Sequence, residues 1–505
     1  MNGENTTDTS VKPIILSNRT LAGINAPGII TPVINYLELP VKVLQFGTGV
    51  LLRGLTDHVI DKANRAGVFN GRITVVKSTK AGSTDAFAYQ DNLYTLQMKG
   101  IENKNLTEET VINASIAKVL SATDEWNLVL KEAENTELSV VISNTTEVGL
   151  QLVEEDIQQT PPSSFPAKLL AVLYHRYKTF NGSTESGLII IPTELLPENA
   201  TILKSIIKQL IVFNKLSADF ENWVDKSNYF CNSLVDRIVT GKPSAEEQRL
   251  FREKNGYSDE LLIVSEPYLL WAIEGGDKVK SILSFEQADP GVNVIPDIEV
   301  HRELKLRLLN GTHTLSCALA LIMDFDLVNT ATNDPVFSSF QRDLMAEIRL
   351  AMPYKADPEL MEAFSERVLD RFGNPFIQHQ WVAIAQQYTT KIITRVLPIF
   401  IEHYRLYSHA PENITKGFAA YLLLMSKVVK ENGGYYLIYK NERHILKDEK
   451  VGLLVDRWAS HSATDIALQI LSDSEIWGED LSQLQGFADA VQYQLNNLVA
   501  NDLKK

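Results

Sequence analysis

The sequence predicts an α/β fold in which a doubly wound, largely parallel sheet is followed by an all-α domain. Three observations carry this expectation. Short β-branched runs alternate with helical stretches up to about Pro296, nearly every segment from His301 onward has helical periodicity, and 505 residues exceed what one hydrophobic core usually organises. The expected division is an irregular lead-in over residues 1–40, an α/β domain over 41–296 and a helical domain over 297–505.

The lead-in is rich in Asn, Thr, Ser and Pro, with a short ordered segment expected around Ile29 to Leu37. Val41 to Phe46 (VKVLQF) reads as a buried strand. After the turn GTG, the run LLRGLTDHVIDKANRAG repeats apolar residues every four positions at Leu51, Leu55, Val59 and Ala63, which is one helix face, and Gly67 is its C-terminal stop. Arg72 to Lys77 (RITVVK), Leu138 to Ser143 (LSVVIS) and Gly187 to Pro192 (GLIIIP) are further buried strands. Helices such as PAKLLAVLYHRYKTF from Pro166 and ATILKSIIKQLIVFN from Ala200 follow them. Apolar strands alternating with helices build a parallel sheet covered on both faces. The helical domain is read from ELKLRLLNGTHTLSCALALIMDF, DPELMEAFSERVLDRF, QHQWVAIAQQYTTKIITRVLPIFIEHYRLY and KGFAAYLLLMSKVVKEN.

Composition narrows the function classes. With 45% hydrophobic and 22% charged residues the chain is an ordinary soluble globular protein. A formal charge of 48 minus 63, or −15, argues against general affinity for nucleic acid or an anionic membrane surface. No run of 18 apolar residues occurs and the N-terminus lacks the layout of a secretory signal, so a cytoplasmic protein is expected. Cys231 and Cys317 are the only cysteines and no histidine pair has metal-ligand spacing, so neither a disulfide framework nor a metal is expected. Nothing in the sequence fixes an oligomeric state.

The chemistry-bearing residues fall into four groups. At Gln45, Phe46, Gly47, Thr48 and Gly49 a strand, a glycine turn and a helix would present backbone N–H groups to a pyrophosphate. The third glycine of a GxGxxG pattern would stand at Leu52 and the next is Gly54, so a tight turn without a nucleotide is the competing reading. After the second strand Lys77 and Lys80 replace the acidic residue expected at a ribose, which leans toward a 2′-phosphate. Asn144, Thr145, Thr146 and Glu147 close one buried strand and Glu194 another, at the carboxyl edge where such sheets hold ligands; solvated turn residues are the alternative. Lys305, Asn310 and His313 fall within about 140° of one α-helical face. They suit proton transfer to an alcohol, or equally a satisfied polar network. Arg371 and His379 in RFGNPFIQHQ, with Lys391 and Arg395 in KIITRVLP, offer counter-charge for a carboxylate, although helix capping and surface charge also account for such residues.

Taken in order, QFGTGVLLRG, SNTTEVG, IIPTELLPEN, NSLVDRIVTG, SEPYLLWAIEG, KLRLLNGTH and RFGNPFIQH resemble the polyol-specific long-chain dehydrogenases, the mannitol dehydrogenase family. Lys-x4-Asn-x2-His is the specific element. The resemblance implies an N-terminal Rossmann-type domain, a C-terminal helical domain, no metal, and hydride transfer between a nicotinamide and a sugar alcohol carbon. NAD is the implied cofactor, with NADP left open. Lys305 would be the acid/base, Asn310 and His313 would position and polarise the substrate oxygen, and Glu194 joins this catalytic set. The implied cofactor loop is Val43, Leu44, Gln45, Phe46, Gly47, Thr48, Gly49, Val50, Leu51, Leu52, Arg53 and Gly54, with Asn144 and Thr146. Implied substrate contacts are Lys391, Arg395, Arg371 and Asp236.

Two departures bear on the substrate. Glu194 stands where polyol-oxidising relatives carry asparagine, as in the uronate-reducing branch, and Ala383 stands where many carry an arginine eight residues before the lysine. A small hexuronate/aldonate pair is therefore expected, with reduction of D-tagaturonate to D-altronate and the reverse. Reduction of fructuronate and oxidation of mannitol are the alternatives within the chemistry. A dinucleotide-binding sensor without turnover is the alternative outside it.

Overall fold

Side-chain alternation sorts the buried strands between two apolar layers. In the computed structural model, which describes residues 14–24, 26–32, 35–79, 82–145, 149–462 and 464–502, Val43, Val75, Ile142 and Ile191 join Val59, Ile60 and Ala63 in one core. Leu44, Phe46, Val76, Val141 and Ile190 join Val172, Leu203, Phe220 and Trp223 in the other. Successive residues of a strand point to opposite faces, so two covered faces demand the nearly unbroken apolar runs seen in the sequence.

The strands are β1 (Val41–Phe46), β2 (Arg72–Lys77), β3 (Ile116–Ser121), β4 (Val140–Ser143), β5 (Ile189–Pro192) and β6 (Tyr229–Phe230). They form one sheet in the order β3-β2-β1-β4-β5-β6, every pair parallel. This is the order of a doubly wound dinucleotide-binding sheet, with its switch point between β1 and β4, where Phe46 lies opposite Ser143. β4 and β5 begin two residues later than the apolar runs that predict them.

The helix expected after β1 is broken. It runs as Val50–Gly54 and Thr56–Arg65, with Leu55 at φ −123° and ψ −79° between them. The Leu52 carbonyl accepts from the Leu55 N–H (3.2 Å) and from the Thr56 hydroxyl (3.1 Å), so a side chain and a tightened turn take what a continuous helix would use. Gly67, at φ +71°, follows the second piece.

Further strands surround this sheet. Ser233–Asp236, Leu270–Glu274 and Val292–Ile295 form a three-stranded sheet. Tyr94–Glu102 and Asn105–Asn113 lie side by side in a five-stranded one, joined by Asn103 and Lys104, both at positive φ. The lead-in is not wholly irregular, because Ile14–Ile15 pairs with Tyr257–Ser258 and Ile29–Ile30 with Thr110–Val111.

By its contacts the chain divides into two units, Met1–Lys99 with Leu106–Ile298, and Gly100–Asn105 with Glu299–Lys505. In the second, the hairpin tip meets the helix Pro358–Phe372: the Lys104 ammonium lies 2.8 Å from Glu366 and the Lys104 N–H donates to Asp370 (3.2 Å). Helices Thr312–Ile322 and Glu412–Met425 pack so closely that a Cβ on Gly417 would lie 2.7 Å from the Leu315 carbonyl oxygen.

This unit is helical but not all-α. The stretch KGFAAYLLLMSKVVKEN, expected to be one helix, ends its helix at Met425, and Val428–Glu431, Gly434–Tyr439 and Glu442–Ile445 form an antiparallel meander. Its two-residue turns, Asn432-Gly433 and Lys440-Asn441, have positive φ throughout, the geometry that matches strand twist. Among the described residues no helix is long and apolar enough to cross a membrane, and no three acidic, histidine or cysteine side chains gather as a metal site.

Candidate active site

One set of candidate residues lies at the carboxyl edge of the sheet. Gly47 leaves β1 at φ +130°, and a Cβ there would lie 3.0 Å from the Asn144 carbonyl oxygen, so only glycine makes this turn. Gly49 differs: it is exposed at φ −62°, and a Cβ would meet nothing within 4 Å. The turn thus keeps an open backbone flank that suits a pyrophosphate. Gly54 supplies the close packing expected of the third glycine, since a Cβ there would lie 2.7 Å from the Val239 side chain. Ser78, just beyond β2, has a buried hydroxyl with no partner among the described residues. Such an orphan suits a ribose or phosphate oxygen.

The implied cofactor loop narrows accordingly. Val43, Leu44 and Phe46 are sealed in the strand core, and Leu52 and Gly54 are buried. Arg53 turns inward, donating to the Leu261 carbonyl (2.7 Å) and lying against the Phe87 and Tyr94 rings. Surface remains at Gly47, Thr48, Gly49, Val50 and Leu51. Gln45 is buried beneath the turn, where its side-chain amide donates to the Gly47 carbonyl and to Asp57, each at 3.3 Å. Burial pushes the Asp57 carboxyl up to about 7, against hydrogen bonds from Thr56 and Gln45 and the charge of Arg53.

Polar bonds lock the neighbouring strand ends together. Asn144 donates to the Thr193 carbonyl and hydroxyl, both at 3.0 Å. The Glu194 carboxylate accepts from the Thr145 N–H (2.8 Å), the Thr145 hydroxyl (3.0 Å) and the Ser143 hydroxyl (3.2 Å). Burial raises its pKa against those bonds. Thr146, Lys80 and Glu147 lie outside the described residues. Asp236 ends its strand in this same unit, beside Arg237, whose guanidinium donates to the Gly54 (2.6 Å) and Glu266 (3.0 Å) carbonyls. Sequence reading missed Arg237, although NSLVDRIVTG contains it.

A second set of candidate residues lies in the helical unit. Lys305–Gly311 is a π-helix, not the α-helix expected. Its i→i+5 bonding brings Lys305 and Asn310 roughly one turn apart on one face, closer than α geometry allows. The following helix is eased open where the Tyr388 hydroxyl inserts between the Thr314 carbonyl (2.7 Å) and the Ala318 N–H (2.9 Å). Ile392–Val396 is a second π-helix.

His313 sits among the predicted cations. Its ring stacks on Phe372 at 3.9 Å and meets His379 and Trp381 edge-on at 5.2 and 5.8 Å. Burial, then His379, Arg371, Arg395 and Lys391, holds its pKa well below the usual imidazole value, so it is neutral near pH 7. Its Nε2 is buried with no partner among the described residues. Lys391 donates to the Ile384 carbonyl (2.8 Å) and Arg395 to the Thr314 hydroxyl (3.3 Å). Burial lowers the pKa of both, and Arg395 lowers that of Lys391 further. An anion set among these cations would relieve their repulsion.

Comparison with known proteins agrees with this architecture. The mannitol dehydrogenase Rossmann domain matches residues 41–286 and the mannitol dehydrogenase C-terminal domain residues 297–499. Altronate oxidoreductase of Halalkalibacterium halodurans is 36% identical over 481 residues, 93% of each chain. That of Bacillus subtilis is 32% identical over 469 residues, 92% of this chain and 94% of its own. Among solved structures, Pseudomonas fluorescens mannitol 2-dehydrogenase, a ternary complex with NAD and D-mannitol, aligns with TM-score 0.66 at 20% identity over 97% of this chain and 98% of its own. A substrate-free D-sorbitol dehydrogenase aligns with TM-score 0.75 at 18% identity, over 97% and 99%. The chain belongs to the mannitol dehydrogenase family and is an oxidoreductase.

Two expectations follow. Gly49→Val, at a position where a Cβ would meet nothing within 4 Å, should weaken NADH binding about tenfold or more, or about 1.4 kcal/mol, with little change in melting temperature; fluorescence titration that finds full affinity removes the turn from the cofactor site. For Asp57, a folded pKa above the unfolded one means the native state holds more protons between about pH 4 and 7, so its contribution is full below pH 4 and is lost as pH rises through 7. Melting curves of wild type minus Asp57→Asn should show that decline, and a flat difference would contradict it.

Proposed function

We propose that this chain is a cytoplasmic, NAD-dependent enzyme that interconverts D-tagaturonate and D-altronate without a metal. The observation that carries the substrate class is the gathering of Arg371, Lys391 and Arg395 around a neutral histidine in the unit that holds Lys305 and Asn310. A uronate carboxylate suits such a cluster, because it brings a negative charge among cations where a neutral polyol brings none. Relatives named altronate oxidoreductase, at 32–36% identity over more than nine-tenths of the chain, support the same choice.

NADH, when bound, supplies a hydride to the keto carbon. The substrate oxygen then gains negative charge, which the Asn310 amide and the Lys305 ammonium meet as placed donors. Lys305 gives its Nζ proton to that oxygen, and in the reverse direction takes it back from the hydroxyl. His313 stays neutral and offers Nε2 for a hydrogen bond, its plane fixed by Phe372. Arg371, Lys391 and Arg395 take the carboxylate, while Asp236 and Glu194 are assigned to hydroxyl contact and to support of the sheet edge.

The deciding experiment assays tagaturonate, fructuronate and fructose with NADH and NADPH; a preference for fructose would move the reading to polyol oxidation. Lys305→Ala should lose about two orders of magnitude or more in kcat, since acid/base groups are typically worth 10²- to 10⁴-fold, with NADH binding kept; near-normal turnover would exclude it as the acid. Lys391→Met should raise KM for tagaturonate about tenfold, or about 1.4 kcal/mol, and spare weak activity on fructose. Equal losses on both substrates would end its carboxylate role.

A further inference from the structure

The two π-helices are joined by a side chain that neither the sequence motifs nor the proposed chemistry uses. Pro398 lies four residues after Thr394 and has no N–H, so an α-helix there would leave the Thr394 carbonyl without its donor and press the proline ring against it. Ile392–Val396 opens into π geometry at that point. Arg307, from the middle of the other π-helix, donates through Nη1 to the Thr394 carbonyl (2.6 Å) and to that of Arg395 (3.1 Å). Its Nε and Nη2 are occupied by the two Glu303 carboxylate oxygens, at 2.9 and 3.2 Å. Arg307 and Glu303 side chains are only 8% and 12% exposed. A planar fork held on one side by a carboxylate and on the other by two carbonyls has little freedom to shift.

We infer that Arg307, oriented by Glu303, is a positioning residue that sets the spacing between the segment bearing Lys305 and Asn310 and the segment bearing Lys391 and Arg395. This rests on the reading that the first segment meets the reacting oxygen and the second the carboxylate. A charged substrate is then held at both ends, and a shift of one segment takes its carbonyl carbon out of line. A neutral ketose is held at the reacting end alone and tolerates that shift. Arg307 therefore contributes to preference for an acid as well as to rate.

The test compares wild type, Arg307→Met and Glu303→Gln on tagaturonate and on fructose, with NADH affinity and melting temperature measured alongside. For Arg307→Met the expected result is a kcat loss of about tenfold or more on the charged substrate, in line with the roughly 10²-fold penalty of a 1 Å misplacement. The loss on fructose should be several-fold smaller, and NADH affinity should be unchanged. Equal losses on both substrates, or kinetics at wild-type level, would overturn the assignment. Should Arg307→Met fail to fold, Glu303→Gln decides: its acid-to-ketose preference is expected to fall about threefold or more as the charge-assisted hold on the fork weakens, and an unchanged preference would overturn the inference. Wild-type enzyme showing no preference for the acid would instead refute the proposed function, before any variant is considered.

Discussion

Buried backbone carbonyls and N–H groups must be paired even where regular structure stops, and in this chain the stops fall beside the candidate site residues. The helix after β1 breaks where Leu52 and Gly54 give their carbonyls to Thr56 and Arg237. The carboxyl edge is closed by Asn144 and Glu194, which answer groups released by β4 and β5. In the helical unit Pro398 denies Thr394 its donor and Arg307 supplies one. At each place a side chain completes what the ladder leaves open, and neighbouring functional groups inherit a fixed position.

Four of the six strands of the main sheet were legible because they are buried on both faces; Ile116–Ser121 and Tyr229–Phe230, at its two edges, are only partly buried and were not. Strands covered on both faces must be apolar throughout, and VKVLQF, RITVVK and the two isoleucine- and valine-rich runs could be little else. The surrounding strands carry mixed residues whose pairing depends on distant partners, as with Ile14–Ile15 against Tyr257–Ser258. Local pattern contains no trace of such a partner. The meander in the helical unit did leave a signal, since Asn432-Gly433 is a hairpin turn, but the apolar run before it continued a helical period and masked the change.

The candidate site could be named from the sequence residue by residue, but its geometry could not. Lys305, Asn310 and His313 stand out by type and spacing, yet their angular relation depends on a π-helix that no residue in KLRLLNGTH announces. His313 owes its neutrality first to burial, then to His379 and to cations from two other segments, Arg371 in one and Lys391 and Arg395 in the other. That convergence is tertiary. The glycine turn could be placed from the sequence, but separating Gly47, which the backbone requires, from Gly49, which it does not, needed the φ values and the open space beside each. Arg307 was in plain view within a motif; its meaning lay with a proline ninety-one residues later.

The hairpin tip at Gly100–Asn105 makes the two units non-consecutive in the chain, because the second begins inside the first. Lys104 reaches Glu366 and Asp370 on the helix that ends in Arg371 and Phe372. A fragment starting at Glu299 would contain every residue assigned to proton transfer and still lack that support. The helical unit is thus not a portable module: a cut at the apparent boundary would leave the hairpin tip that braces one of its helices in the other piece.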